Sequence, residues 1–187
     1  MSDDAGAGAV RVRVMQPDEY ERVRALEVAA FGDDRSIGEL LDLLRGSWTW
    51  EDELSFVAER EGEIVAHLLY THAMVDAPRR LVDVLLLSPV GVRPDLHGAG
   101  IGTCLITESL DALARTRTEP MVFLEGNPRF YSRFGFVRAD ERGFTAPSTR
   151  IPPPAFQVLS LPGDDRSITG ALVYPDAFWR TDAVGLR

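Results

Sequence analysis

Apolar residues recur along this chain with two different spacings. Residues 10–15, VRVRVM, alternate apolar and charged positions, which is typical of a half-buried strand. In residues 16–31 the apolar side chains instead recur every three or four positions, after a proline and two acids, which predicts a helix. A second helix is predicted over residues 36–46, capped by Ser36 and ended by Gly46.

Strand patterns fill the middle of the chain. Residues 54–76 predict two strands joined by a turn at Glu61–Gly62, and residues 79–92 predict a fourth strand. The centre of this fourth strand, VLLL, is apolar on both faces, so we expect it to be covered on both sides.

The second half of the chain begins with a helix between two strands, which predicts a crossover. The predicted elements are a helix (103–116), a buried strand (121–125), a short helix closed by Gly135 (127–135) and two strands (156–161 and 170–175), with the three prolines 152–154 as a stiff connector. Antiparallel strands followed by a crossover predict an α/β or α+β sheet with helices on both faces.

Composition and length limit the class of protein. The 187 residues contain no internal repeat, which predicts one domain over residues 10–180, a disordered N-terminus (1–9) and a C-terminal tail (181–187). The net charge of -9 argues against nucleic acid as a partner, because phosphate binding needs a basic face. No apolar run reaches the roughly 18 residues of a membrane span, and the N-terminus lacks the features of a signal peptide, so we expect a cytoplasmic protein.

The chain offers few residues for metal or disulfide chemistry. Cys104 is the single cysteine, so no internal disulfide can form, and a zinc cage is disfavoured. The three histidines, His67, His72 and His97, do not have the spacing of metal ligands. We therefore predict no metal site.

Three glycines fall within five positions between the fourth strand and the following helix. They are Gly98, Gly100 and Gly102, and each costs a helix about 1 kcal/mol relative to alanine. Glycine lets a ligand approach the main chain, and the N–H groups and dipole of a helix start attract anions. A tight turn explains one glycine but not three, so this loop predicts a phosphate-binding site.

Two phosphate-binding motifs fit the loop poorly. A P-loop needs a lysine after its last glycine, but Thr103 follows Gly102 here. A dinucleotide-binding fingerprint accommodates Gly98 and Gly100, but Thr103 stands where its third glycine belongs. A nicotinamide-cofactor enzyme is therefore kept only as a third candidate.

A third motif matches better. Residues 90–106, VGVRPDLHGAGIGTCLI, resemble the acyl-CoA-binding motif of GNAT-superfamily N-acetyltransferases, with His97 at the position usually held by Gln or Arg. Residues 126–136, GNPRFYSRFGF, are similar to the later motif of this superfamily, in which a tyrosine lies beside the CoA sulfur. The segments 156–161 and 170–178 resemble a bacterial subgroup of predicted GNAT acetyltransferases with unassigned substrates.

The resemblance implies a fold and a donor. The implied sheet is mixed and mostly antiparallel, has about six to seven strands and is splayed between strands 4 and 5. Acetyl-CoA is the implied donor, with pantetheine along Val90, Gly91 and Val92 and main-chain contacts from the two valines. The pyrophosphate is assigned to amides of the glycine loop: His97, Gly98, Ala99, Gly100, Ile101, Gly102 and Thr103. Asn127 and Tyr131, four residues apart and hence on one predicted helix face, complete the expected cofactor contacts.

Acetyl transfer to an amine also needs catalytic groups. Tyr131 is the candidate donor to the leaving sulfur; its reference pKa of about 10 exceeds the 8.5 of a thiol, so full proton transfer is uphill by about 2 kcal/mol. Glu125, at the end of the fifth strand, is the candidate base, with capping of the next helix as its alternative role. His72, with a suitable reference pKa of about 6.5, and an ordered water without a dedicated base remain open. A main-chain N–H near Val90 is the expected oxyanion donor.

The sequence therefore predicts an acyl-CoA-dependent N-acyltransferase. We expect direct attack by a small-molecule or peptide amine on acetyl-CoA, without an acyl-enzyme. The alternative is a noncatalytic acyl-CoA-binding or regulatory protein of the same fold. A homodimer is an expectation from the resemblance alone.

Overall fold

One mixed sheet organises the chain. The computed structural model describes residues 9–185, so the predicted disorder of residues 1–9 lies, except for Ala9, outside the described residues. The nine strands of this part are β1 (Arg11–Val14), β2 (Ser55–Arg60), β3 (Glu63–Ala77), β4 (Arg80–Val92), β5 (Met121–Glu125), β6 (Val137–Arg138), β7 (Phe144–Thr145), β8 (Phe156–Ser160) and β9 (Gly170–Val173). The helices are α1 (Tyr20–Ala30), α2 (Arg35–Arg45), α3 (Ile101–Thr116), α4 (Pro128–Tyr131) and α5 (Asp176–Arg180).

The sheet has the predicted mixed and mostly antiparallel topology. Its main path runs β1-β2-β3-β4-β5-β8-β6, while β9 pairs with β3 and β7 pairs with β9. The parallel pairs are β4–β5 and β7–β9. The predicted fold class is confirmed, but the sheet has more strands than expected, because the two-residue strands β6 and β7 are too short to show a period of two.

Helices cover both faces of the sheet. Val84 and Leu86 of β4 pack in the apolar cluster that contains residues of α1 and α2. Leu85 and Leu87, which alternate with them, pack in the cluster that contains the apolar face of α3. The expectation that VLLL is covered on both sides is confirmed.

Two local predictions need correction. Ser36 does not cap α2; Asp34 does, because its carboxylate accepts the Ser36 N–H at 2.9 Å while the backbone of Asp34 stays extended. The prolines before β8 do not form an extended connector alone, because Pro153–Ala155 is a 3₁₀ turn. A 3₁₀ turn at Pro17–Glu19 likewise precedes α1.

A bulge in β4 opens the sheet on its β5 side. Leu68 faces Val90 and Tyr70 faces Leu87, so Ser88 and Pro89 together oppose one residue of β3. β4 pairs with β5 at Leu85↔Val122 and Leu86↔Phe123, before the bulge. Beyond these pairs the two strands separate, which confirms the predicted splay.

The end of the described chain returns to this opening. Thr181 and Val184 are buried, and the Gly185 N–H donates to Glu125 at the end of β5. The residues after α5 thus pack against the sheet as far as they are described. Between residues 9 and 185, no helix is long and apolar enough to cross a membrane.

Candidate active site

The glycine loop leaves space in front of its main chain. Gly98 and Gly100 have φ angles of +82° and +79°, which favour glycine, and apart from the adjacent residues no atom of residues 9–185 lies within 4 Å of the position where either would carry a Cβ. Gly100 is the N-cap of the 16-residue helix α3. The loop therefore presents open space at the positive end of a long helix.

Most of the predicted loop amides are available to a ligand. The N–H groups of His97 and Ala99 donate within the loop, to Pro94 and Leu96. The other loop amides have no acceptor among residues 9–185; they are those of Gly98, Gly100, Ile101, Gly102 and Thr103. This set of donors suits a diphosphate, which offers several anionic oxygens.

The main-chain groups of Val90 and Val92 in β4 point into the opening between β4 and β5, as predicted for contacts with pantetheine. Arg93 N–H donates to Val65 at 2.9 Å, so the alternation of the antiparallel ladder directs the main-chain groups of Val90 and Val92 away from β3. The Val92 carbonyl is already within 2.8 Å of His97 Nε2. His97 therefore braces this strand, and Val90 retains a free main-chain edge.

Gly91, between Val90 and Val92, faces the side of the sheet that α1 covers. A Cβ there would collide with the carboxylate of Glu27, which is fully buried and hydrogen-bonded to His67 Nδ1 at 2.6 Å. His67 Nε2 lies 3.0 Å from Ser55 Oγ. Gly91 thus lets α1 approach β4, which is a structural reason for a glycine within the predicted cofactor strand.

These features line one cavity of about 490 Å³, which we call the glycine-loop groove. Its walls come from the end of α1, from β4, from the loop and from the α4 region: Ala30, Phe31, Val90, Val92, Leu96, His97, Gly98, Gly100, Ile101, Gly102, Thr103, Phe130, Tyr131 and Arg133. Asn127 is not among them, because it is the N-cap of α4 and its side chain accepts the Arg129 N–H at 3.0 Å. Asn127 is thus the cap of α4 rather than a residue within it, and its contact with the cofactor stays a prediction.

Tyr131 is held firmly at the wall of the groove. Its ring covers Gly126, where a Cβ would collide with it, and meets Phe130 edge to face at 5.0 Å. Burial, and secondarily the charge of Glu27, raise the pKa of Tyr131 to about 12. Within residues 9–185 its hydroxyl has no hydrogen-bond partner, so it is available as a donor.

A second cavity, of about 250 Å³, lies on the other side of the bulge; we call it the acid-lined pocket. Apolar side chains form most of its wall, and three carboxylates reach it. Its lining is Phe31, Asp34, Ser36, Ile37, Leu40, Leu86, Ser88, Pro89, Glu125, Tyr174, Phe178, Asp182, Ala183 and Gly185.

Glu125 lines this pocket and does not cap α4. Its Oε2 accepts the Gly185 N–H at 2.9 Å, and the Tyr174 hydroxyl also hydrogen-bonds to it. Burial raises the pKa of Glu125, and the two hydrogen bonds oppose that rise. The capping alternative is wrong, because Asn127 itself performs that role.

The two cavities lie next to each other at the bulge of β4. Pro89 lines the acid-lined pocket and the next residue, Val90, lines the glycine-loop groove, while Phe31 lines both. Phe31 was not predicted to line a cavity. Phe31 fits the apolar periodicity of α1 and looks like a core residue in the sequence, yet it is 44% exposed because it follows the last turn of the helix.

The remaining polar candidates lie outside both cavities. His72 is bonded to Glu51 at 2.8 Å and to Asp83 at 3.0 Å, which makes it part of an ion-pair network rather than a base at the opening. Asp83 and Glu119 approach His72 closely enough to share a metal ion with it, but the Arg117 guanidinium pairs with Glu119 and already supplies a counter-charge. Burial and Glu108 raise the pKa of the Cys104 thiol, which is therefore not activated.

Comparison with known proteins identifies the family. Residues 11–139 match the GNAT acetyltransferase domain. The chain is 32% identical over 131 residues to the uncharacterized N-acetyltransferase YjhQ of Escherichia coli, covering 67% of this chain and 68% of that protein. It superposes with a TM-score of 0.82 on the GNAT-family N-acetyltransferase YhbS of Escherichia coli, solved in complex with CoA, at 25% identity and 94% coverage of both chains. It superposes with a TM-score of 0.72 on a GNAT-family acetyltransferase of Brucella melitensis, solved in complex with acetyl-CoA. The identity is 27%, and the superposition covers 91% of this chain and 99% of that one. The chain therefore belongs to the GNAT acetyltransferase family and is an N-acetyltransferase.

Proposed function

We propose that this enzyme moves the acetyl group of acetyl-CoA, bound in the glycine-loop groove, directly onto a primary amine bound in the acid-lined pocket. The observation that carries the proposal is that the two cavities lie next to each other at the β4 bulge. Anion-binding amides lie on one side of this bulge and a carboxylate at the end of a buried strand lies on the other.

Acetyl-CoA is the acyl donor of the family, and two relatives with the same fold were solved with CoA or acetyl-CoA. The groove suits this donor, because Gly98 and Gly100 leave space at the loop and the neighbouring amides have no acceptor within residues 9–185. We assign the diphosphate to the loop amides and the pantetheine arm to the free edge of Val90.

Glu125 supplies the base in this proposal. An alkylamine with a pKa of about 10.4 is neutral at pH 7 in about one molecule of 2,500, which corresponds to about 4.6 kcal/mol. A carboxylate at the pocket wall, with a pKa raised by burial, accepts the ammonium proton more readily than an ordinary glutamate. The bound amine thereby becomes a nucleophile close to the bulge.

Attack of the amine nitrogen forms the C–N bond, and departure of the sulfur breaks the C–S bond. As the amide forms, the nitrogen gives up its second proton, which solvent water passes to the departing sulfur to give free CoA, and Glu125 returns the first proton to solvent. The Val90 N–H is the proposed donor to the oxyanion. Tyr131 donates a hydrogen bond to the departing sulfur and keeps its proton, because a pKa of about 12 makes transfer to a thiolate uphill by about 5 kcal/mol.

Enzyme activity and simple binding are separated by one pair of measurements. Thermal unfolding with CoA, acetyl-CoA or NAD tests the donor, and release of free thiol from acetyl-CoA, with and without an amine panel, tests catalysis. We expect stabilisation by CoA and acetyl-CoA, amine-dependent thiol release and a product carrying one added acetyl group by mass spectrometry. Stabilisation without amine-dependent release would favour a noncatalytic binding protein, and stabilisation by NAD alone would contradict the proposal.

A further inference from the structure

We infer that the acid-lined pocket selects a small primary amine with an apolar or aromatic body and no carboxylate group. The inference rests on the proposed function, since it assigns the acceptor to this pocket. It follows from three properties of the lining residues: their charge, their apolar surface and the volume that they enclose.

The charge of the lining favours a cation. Among residues 9–185, Asp34, Glu125 and Asp182 line the pocket, and no lysine, arginine or histidine does. These acids have structural partners: Asp34 caps α2, Glu125 accepts the Gly185 N–H, and Asp182 pairs with Arg150. Because Arg150 compensates the charge of Asp182, the negative field that an entering ammonium meets comes from Asp34 and Glu125, which are already held in place, and a carboxylate meets repulsion there.

The rest of the wall is apolar. Ile37, Leu40 and Leu86 form an aliphatic surface, and Tyr174 and Phe178 pack against each other with ring centroids 5.3 Å apart. The exposed ring of Phe31 continues this surface to the junction with the groove. Such a wall stabilises an apolar body and leaves a second charged group on the substrate without a partner.

The volume limits the size of the acceptor. A cavity of about 250 Å³ holds on the order of eight water molecules at about 30 Å³ each and lies below the usual range for drug-sized ligands. One ring, or a branched chain of similar size, fills it. The pocket thus suits a compact amine better than a folded protein segment or an antibiotic with several rings.

The position of Arg150 distinguishes two kinds of acceptor, an α-amino acid and an amine without a carboxylate. It pairs with Asp182 and its charge lowers the pKa of Glu125, so it lies near the pocket without lining it. Arg150 would serve an α-amino acid if it turned from Asp182 to the substrate carboxylate. With the pair intact, its charge is neutralised, and an amine without a carboxylate is preferred.

Matched amines test the inference. We would compare kcat/KM for phenethylamine, phenylalanine, phenylalaninamide and putrescine at one pH and saturating acetyl-CoA. Phenylalanine adds a charged group and phenylalaninamide adds similar bulk without the charge. We expect phenethylamine and phenylalaninamide to exceed phenylalanine by about tenfold or more, and putrescine to be a poor substrate because its second ammonium meets the apolar wall.

A variant of the pocket separates charge from shape. Asp34→Ser removes one carboxylate and keeps a residue that caps helices well. It should reduce the preference for phenethylamine over phenylalanine several-fold. The control Asp111→Ser removes an exposed charge from α3, on the other face of the sheet, and should leave the preference unchanged.

The outcomes distinguish the inference from the function on which it rests. Equal or faster acetylation of phenylalanine, or a preference for putrescine, would overturn the substrate class and leave the acetyltransferase intact. An unchanged preference in Asp34→Ser would overturn the role of charge. Stabilisation by CoA with no product from any amine would overturn the proposed function itself.

Discussion

The two cavities at the β4 bulge are built in opposite ways. The glycine-loop groove takes most of its predicted contacts from one continuous stretch, between Val90 and Thr103, and it presents main-chain groups. The acid-lined pocket gathers side chains from α1, α2, β4, the end of β5 and the chain around α5. A donor common to a whole family can be bound by backbone, which every sequence provides, whereas selection of one acceptor requires particular side chains.

This contrast has a consequence for substitutions. We expect changes in the glycine loop to act on binding of the donor, because its amides have only the proposed role of holding the diphosphate. We expect changes at Glu125 and at the other charged groups of the pocket to act on the chemical step or on the choice of amine, because these groups titrate or repel.

Removal of the proposed base should have the largest effect. Glu125→Gln keeps an acceptor for the Gly185 N–H but cannot take up the amine proton, so we expect kcat to fall about 100-fold with little change in the KM for acetyl-CoA. Steady-state thiol release over a range of pH measures both values. The variant should also lose the acidic limb of the pH–rate profile.

The same substitution at the other end of β5 is the control for this variant. Glu119→Gln removes a buried carboxylate that pairs with Arg117, so it should lower stability and leave kcat per folded molecule unchanged. If Glu125→Gln kept the wild-type kcat and pH–rate profile, Glu125 would not be the base, and proton removal would be assigned to water.

A change in the glycine loop should affect binding of CoA rather than the chemical step. Gly100→Ala places a methyl group in the open space of the loop and strains a backbone at φ +79°, so we expect the Kd for CoA, measured by calorimetry, to rise about 30-fold. Gly62→Ala is the matched control, because Gly62 has φ +81° and open space but lies in the β2–β3 turn. Equal weakening of CoA binding by both variants would show that backbone strain, and not the loop, causes the effect.

Tyr131 should have a smaller effect on the chemical step. Tyr131→Phe removes one hydrogen bond to the departing sulfur, and we expect kcat to fall about tenfold with an unchanged Kd for CoA. Tyr70→Phe removes a buried hydroxyl that bonds Ser109 at 2.9 Å and should change stability only. If kcat were unchanged in Tyr131→Phe, Tyr131 would have no role in the chemical step, and its ring would only pack over Gly126.

The fold was predictable wherever one residue pattern determined one element. The long strands β3 and β4 and the two-sided apolar run in β4 follow directly from periodicity. The cap of α2 was assigned to Ser36 because serine and aspartate are both good caps, and only the main-chain geometry distinguishes Ser36 from Asp34. The strands β6 and β7 have too few residues to carry a period.

The cavity at the glycine loop was predictable from the sequence, and the acid-lined pocket only partly. Glycine spacing marks the loop because positive φ and close approach of a ligand both need glycine. Glu125 could be selected because it ends a buried strand, but nothing in the sequence places Tyr174 or Gly185 beside it. These residues lie about fifty positions or more further along the chain, and the return of the chain past α5 brings them to the sheet.

The smallest predicted effect concerns the pKa of Glu125 and its dependence on Tyr174. The Tyr174 hydroxyl hydrogen-bonds to the carboxylate and lowers its pKa, against the rise caused by burial. Activity needs the deprotonated form, so it is lost as pH falls through this pKa. Tyr174→Phe removes the lowering influence, and the acidic limb of the kcat/KM profile should move to higher pH while the rate on the plateau is largely kept. Tyr20→Phe, which removes a 2.7 Å bond to Asp42 away from both cavities, should not move the limb. A limb that stays in place or moves to lower pH in Tyr174→Phe would mean that another group titrates, because a carboxylate that loses a donor cannot become more acidic.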